Sequence, residues 1–182
     1  MNKETIITIS GGVGGAKLVS GLAHILPPEN LLVVTNNGDD FDHYGLRICP
    51  DTDTVVYTLS NLADPIQGWG RVDETWSFMK TFGNLGGDQW FNIGDRDLAL
   101  HVLRSHWLNE GLSLSQITSR ICRNLGVKVN VLPHAPLHVT TSSLMKFGGL
   151  SRPYVSFSRH QYRRINCKKQ LFLQHVSTSS KI

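Results

Sequence analysis

The chain has 182 residues, 40% hydrophobic and 18% charged, which suits one domain with a sizeable core and is too short for two. No apolar run approaches the ~20 residues that cross a bilayer, and no hydrophobic leader opens the chain, so a membrane partner is not expected. The net charge of +4 conceals a split: residues 1–110 hold all 14 acidic residues against 7 Lys or Arg, while residues 111–182 hold 11 Lys or Arg and no acid. Cys49, Cys122 and Cys167 form neither a disulfide framework nor a CxxC metal site, which predicts a reduced, cytoplasmic protein.

Thr5 to Ser10 is a β-branched apolar run of the kind buried in a parallel sheet. It leads into Gly11-Gly12-Val13-Gly14-Gly15-Ala16-Lys17, then an apolar helical pattern (Leu18, Leu22, Ile25, Leu26) ended by Pro27-Pro28. Leu31 to Val34 is the next strand, so the opening reads as a βαβ unit with its ligand site at the carboxyl ends of the strands. The glycine turn matches neither standard fingerprint. A GxGxxG from Gly12 would need glycine at Lys17, and a Walker A loop would need glycine before Lys17, where Ala16 stands. Small residues at a helix N-terminus still admit an anion, and Lys17 adds charge; the other reading is a tight turn that packs helix onto sheet.

Asn36-Asn37-Gly38 is a polar turn, followed by Asp39 and Asp40; a short apolar run, Leu46 to Cys49, then leads to Pro50, Asp51 and Asp53. Four carboxylates on loops beside glycines suit Mg²⁺ and a phosphorylated ligand, and equally suit solvated turns and helix caps. Thr52 to Ser60 is expected to be a helix with Thr52 or Asp53 near its N-cap, an Asp facing the site while Val55, Val56 and Leu59 face the core. Gly68-Trp69-Gly70-Arg71 and Asp73-Glu74-Thr75-Trp76 place aromatic and polar groups on a loop and a helix start, with packing the first reading for Trp69 and Trp76 and ring stacking the second.

Asn92-Ile93-Gly94-Asp95-Arg96-Asp97 precedes another apolar helix (Leu98, Ala99, Val102, Leu103). It reads as a capped helix start with an internal ion pair, or as an anion-holding loop. His101 and His106 are spaced as ordinary surface or core residues. Ser113 to Leu125 opens with a capping box, Ser113 to Gln116, and Val127 to Leu132 is a strand closed by Pro133. This alternation predicts an α/β, Rossmann-like three-layer fold with a mostly parallel sheet over residues 1–133, incomplete on its C-terminal side. Residues 134–182 read as a basic, divergent tail; nucleic acid is not expected as a partner, although Tyr154, Phe157 and Tyr162 lie among its basic residues.

Together, GGVGGAKL (11–18), NNGDD (36–40), GLRICPDTDTVVYTL (45–59), GWG (68–70), ETW (74–76) and WFNIGDRDLA (90–99) resemble the 2-phospho-L-lactate transferase family with its phosphoenolpyruvate-using relatives, enzymes of coenzyme F420 biosynthesis. The resemblance implies a transferase. It would move a phosphorylated three-carbon acid from a guanosine diphosphate-linked donor to the terminal hydroxyl of the deazaflavin Fo and release GMP, with Mg²⁺ as cofactor and a homodimer as partner. It puts the metal and the catalytic step on Asp39, and the nucleotide side on Gly11, Gly12, Gly14, Gly15 and Lys17. Asp53 and Asn92 fall on the Fo side. Asn36, Asp40, Asp95 and Arg96 belong to the same matched blocks. Beyond about residue 140 the motif resemblance stops, which predicts a truncated or frameshifted member. Two other readings stay open: a non-catalytic nucleotide or sugar-nucleotide binding regulator, and an inactive remnant.

Overall fold

The computed structural model describes residues 5–134. Apart from His134, the expected basic tail with Cys167 and its aromatic residues lies outside the described residues.

Ile6–Ser10 forms strand β1 and Gly12–Ile25 helix α1; after a turn of 3₁₀ helix at Pro28–Asn30, Leu31–Thr35 forms β2. Phe41–His43 (β3) and Leu46–Ile48 (β4) make a separate antiparallel hairpin. Helices follow at Pro50–Leu59 (α2), Ser77–Asn84 (α3), Asp95–Asn109 (α4) and Leu114–Asn124 (α5), and Asn130–Pro133 closes as β5. The main sheet has the order β1-β2-β5 and is wholly parallel, Ile6 pairing with Leu31 and Leu32 with Asn130. Parallel neighbours need crossover connections, which α1 supplies for the first pair and the segment from the hairpin to α5 for the second. The α/β, Rossmann-like arrangement read from the sequence is therefore present.

The two faces of the sheet differ. Thr8, Ser10, Leu31, Val33, Thr35 and Val131 are buried on one face. There Val33 and Val131 pack with Ala16 and Val19 of α1, Val55 and Val56 of α2, Trp107 of α4, and Ile117 and Ile121 of α5. On the other face Ile7 and Ile9 are 63% and 73% exposed and Leu132 is 40% exposed. Among the described residues, helices cover one face only. A second, smaller core of Ile48, Met79 and Ile93, with Phe41, Phe82 and Phe91 around it, joins the hairpin to α3.

Several elements start elsewhere than the sequence predicts. Helix α1 begins at Gly12, so the glycines form its first turn instead of a loop ahead of it. Helix α2 begins at Pro50 with Cys49 as N-cap, three residues ahead of Thr52 and four ahead of Asp53, the caps expected, because proline's fixed φ suits the first helical position. Asp51 and Asp53 both lie in that first turn, where the helix dipole favours negative charge. Strand β3 was not foreseen; its two-residue turn, Tyr44-Gly45, has φ of 49° and 76°, the both-positive backbone of a tight hairpin. The Ser113–Gln116 capping box is present with both of its bonds.

Candidate functional site

The carboxyl ends of β1 and β2, the first turn of α1 and the first turn of α2 meet at one place. Gly11 is the N-cap of α1, and a Cβ there would lie 3.2 Å from Asp51 Oδ2. Gly12, at φ +61°, would place a Cβ 3.6 Å from Asp51 Oδ1. Both glycines thus let the backbone close against the Asp51 carboxylate. Gly15 is tight for another reason: a Cβ there would sit 2.4 Å from Ser10 Oγ, so it sets how closely α1 approaches β1. Gly14 has open space, and Lys17 is exposed one turn further along α1.

Asn36 ties the strand end to α2. Its Nδ2 donates to Asp51 Oδ2 at 2.8 Å, its Oδ1 accepts from Gly38 N at 3.0 Å, and its own N–H donates to Ser10 O at 2.9 Å. Asp39 follows in the same turn, half-buried; burial and then the negative charge of Asp51 raise its carboxyl above the ordinary value. The Asp51 charge acting on Asp39 gives this corner a local excess of negative charge.

Asp40 is a contrast next door. Its side chain is 1% exposed, with Arg47 Nη2 at 3.6 Å, and neither oxygen accepts a well-formed hydrogen bond among the described residues. Burial raises its carboxyl to about 6, which the Cys49 thiol and the Arg47 and Arg104 charges only partly offset.

Asp53, two residues from Asp51, belongs to a closed network. Arg104 of α4, itself buried, holds it bidentately through Nη1 (3.0 Å to Oδ2) and Nη2. The same Nη1 reaches Arg47 O at 3.2 Å and His101 Nδ1 at 3.3 Å. His101 Nδ1 therefore accepts, and its Nε2–H donates to Asp97 Oδ2 at 3.1 Å; this tautomer is assigned from the partners. Tyr57 OH donates to the other Asp97 oxygen. Burial raises the Asp97 carboxyl, but the hydrogen bonds from His101 and Tyr57 and the Arg104 charge outweigh it and leave the pKa lowered. Burial and the Asp97 charge push the Tyr57 phenol up.

The expected internal ion pair of Asp95-Arg96-Asp97 is replaced by contacts to the 73–78 segment. Glu74 caps α4, accepting from Arg96 N and Asp97 N at 2.9 Å each. Asp95 reaches back to Thr75 Oγ1 (2.6 Å), Ser77 N (3.1 Å) and Phe78 N (2.9 Å), so it caps α3. Arg96 Nη1 donates to Asp73 O. Gly94 is required because a Cβ there would strike the Glu74 carboxylate at 2.3 Å. Asn92 is exposed on the loop before α4.

The structure thus brings Gly11, Gly12, Asn36, Asp39 and Asp51 together, and places Asp40, Asp53, Asp95 and Arg96 in hydrogen-bonded or ionic networks behind and beside them. Asp51 is the residue whose role the sequence reading left unassigned, although it noted the carboxylate. Glu74 stands in the ETW block (74–76) without an assigned role, and His101 and Arg104 carry no local motif that singles them out.

No group of three or more His, Cys, Asp or Glu among the described residues is arranged to hold a metal ion alone. Asp39 and Asp51 nevertheless fit Mg²⁺, which is commonly bound by one or two carboxylates, with phosphate oxygens and water completing the shell. No helix in the described residues is long and apolar enough to cross a membrane.

Comparison with known proteins shows the family. Residues 6–174 match the family described as 2-phospho-L-lactate transferase CofD, so the match runs past residue 140, where the motif resemblance stops. A phosphoenolpyruvate transferase of Kitasatospora aureofaciens is 46% identical over 138 residues, covering 75% of this chain and 43% of the relative. Another from Streptomyces coelicolor is 36% identical over 159 residues, covering 87% and 50%, and one from Thermobifida fusca is 41% identical over 145 residues, covering 75% and 45%. The chain spans about half the length of these curated relatives. It belongs to the 2-phospho-L-lactate transferase family.

Proposed function

We propose that this chain carries the catalytic carboxylates of a Mg²⁺-dependent transferase in coenzyme F420 biosynthesis. In this reading it moves a phosphorylated three-carbon acid from a guanosine diphosphate-linked donor to the terminal hydroxyl of Fo. The observation that carries the proposal is the Asp39–Asp51 pair set against the glycine turn. The relatives are named for phosphoenolpyruvate, which favours the phosphoenolpyruvyl group as the one transferred.

In this reading the N–H groups at the start of α1 face donor phosphate oxygens, and Lys17 adds charge at the rim. Asn36 holds Asp51 in place. Asp39 takes the proton of the attacking Fo hydroxyl. The hydroxyl oxygen bonds to the phosphorus that bears the three-carbon acid, the bond from that phosphorus to the GMP oxygen breaks, and GMP leaves. Asp39 and Asp51 would hold Mg²⁺, which would supply charge neutralisation at the phosphates when bound. On the acceptor side the exposed Asn92 and Arg96 meet Fo in this reading, whereas Asp53 and Asp95 act by holding α2 and α3. The same reading has the protein working in the cytoplasm.

The test is a titration of Fo into the purified chain with Mg²⁺, followed by deazaflavin fluorescence, and then turnover with the guanosine diphosphate-linked donor. Saturable binding, with GMP release that Asp39→Asn abolishes, is the expected result. A chain that melts cooperatively yet does not bind Fo contradicts the proposal and favours the regulator.

A further inference from the structure

Residues 62–72 form a loop closed on itself. Val72 N donates to Leu62 O at 2.8 Å, Ala63 and Arg71 make an antiparallel bridge, and Asp64 N donates to Gly70 O at 3.1 Å. Inside it, Asp64 Oδ1 accepts from Ile66 N (2.7 Å) and Gln67 N (3.0 Å), and Gly68 N donates to Asp64 O at 2.8 Å. Arg71 lies over the Tyr57 ring, 5.5 Å from its centre, which anchors the loop to α2.

The tip of this loop rests on the glycine turn. Gly68 has φ +75°, and a Cβ there would lie 2.8 Å from Val13 Cγ1, in the first turn of α1. Gly70 has φ +71°, so Trp69 is flanked by two residues in the left-handed region. The indole between them is 57% exposed and pairs with no other ring among the described residues. A large aromatic surface left open on a pinned loop, one residue from the contact with the anion-facing turn, is unlike a packing tryptophan. A flat ring with an open face suits stacking on a planar heterocycle.

We infer that Trp69 is the stacking platform for the planar heteroaromatic ring of a ligand bound beside the α1 glycine turn. The inference rests on the proposed function and extends it by naming the side chain that reads the ring. The purine of the donor and the tricycle of Fo share this chemistry, and the experiment separates them.

The experiment measures affinities of the wild-type chain, Trp69→Ala, Trp69→Phe and the exposed control Trp76→Phe for GDP, inorganic pyrophosphate and Fo, each with Mg²⁺. In Trp69→Ala, GDP or Fo binding is expected to weaken about tenfold or more, the scale of one base stacked on an aromatic side chain. Pyrophosphate, which has no ring, is expected to bind as before. Trp69→Phe restores most of the loss, and Trp76→Phe behaves as wild type. A loss confined to GDP assigns the purine, and a loss confined to Fo assigns the deazaflavin. Unchanged affinity of Trp69→Ala for both ring ligands overturns the inference while leaving the proposed function standing, as does an equal loss of pyrophosphate binding. A wild-type chain that binds none of the three overturns both.

Discussion

Asp51 and Asp53 lie in the same helical turn of α2, and their surroundings are opposite. Asp53 meets a buried guanidinium in bidentate contact, and Arg104 is in turn tied to His101 and the Arg47 carbonyl. Asp51 meets a neutral amide, Asn36, and two glycines whose missing side chains leave backbone against it, with another carboxylate, Asp39, adding like charge. The side of α2 that faces α4 is neutralised inside the protein. The side that faces the glycine turn is left with unbalanced negative charge beside backbone that favours anions. A magnesium–phosphate ligand, as proposed, would satisfy both demands at once, because the cation would meet the carboxylates and the phosphates the N–H groups. The comparison therefore separates an internally neutralised acid from an unneutralised one on a single helix.

Breaking the neutralised side gives the largest expected effect. Arg104→Met leaves Asp53 buried without its partner and is expected to cost about 3–5 kcal/mol in urea unfolding. Asp53→Leu combined with Arg104→Met recovers much of that loss, since an apolar pair of similar volume carries no desolvation penalty. If the single and double variants unfold alike, the network does not hold α2 in the way described.

Asp40, between the two sides, sharpens the comparison through pH. Its carboxyl is raised by burial to about 6 in the folded chain, so the folded state binds the proton more tightly than the unfolded state does. Its effect on stability is least unfavourable below about pH 4, worsens as pH rises through 4 to 6, and levels off above. Asp40→Asn is expected to flatten that slope and to stabilise the chain at pH 7 by at most about 3 kcal/mol. Urea midpoints for both proteins between pH 4 and 7 measure this directly; parallel profiles contradict it.

Glu74→Ala removes the carboxylate that caps Arg96 N and Asp97 N, and is expected to cost about 1–2 kcal/mol. The smallest change in stability belongs to the open side. Asp51→Asn keeps the shape and relieves repulsion with Asp39, so its melt is expected within about 0.5 kcal/mol of wild type.

What was legible in the sequence was what local pattern encodes. The βαβ opening followed from β-branched runs around a glycine turn, and α5 from its capping box and apolar spacing. The hairpin was missed because β3 is three residues long and turns on Tyr44-Gly45 instead of an Asn-Gly pair. Helix α3, with Gly83 near its end, has little propensity of its own and is held by Asp95 and the core around Met79. In the site, the glycines, Asn36, Asp39 and Asp40 stood in recognisable blocks, yet the partner that neutralises Asp53 lies 51 residues away on another helix. No period or motif reports such a pair; only the packing of α2 against α4 creates it. The distinction between Asp51 and Asp53 was invisible for the same reason.

The central claim is that the Asp39–Asp51 pair and the glycine turn together bind a magnesium–diphosphate group. Calorimetric titration of GDP into the chain tests it most directly, with Mg²⁺ and with EDTA, for wild type and Asp51→Asn. The account predicts saturable binding by wild type in Mg²⁺, weakened at least tenfold by EDTA and to a similar extent by Asp51→Asn, with the thermal melt of that variant unchanged. Equal affinity under all of these conditions, or no binding by a well-folded wild type, would contradict it.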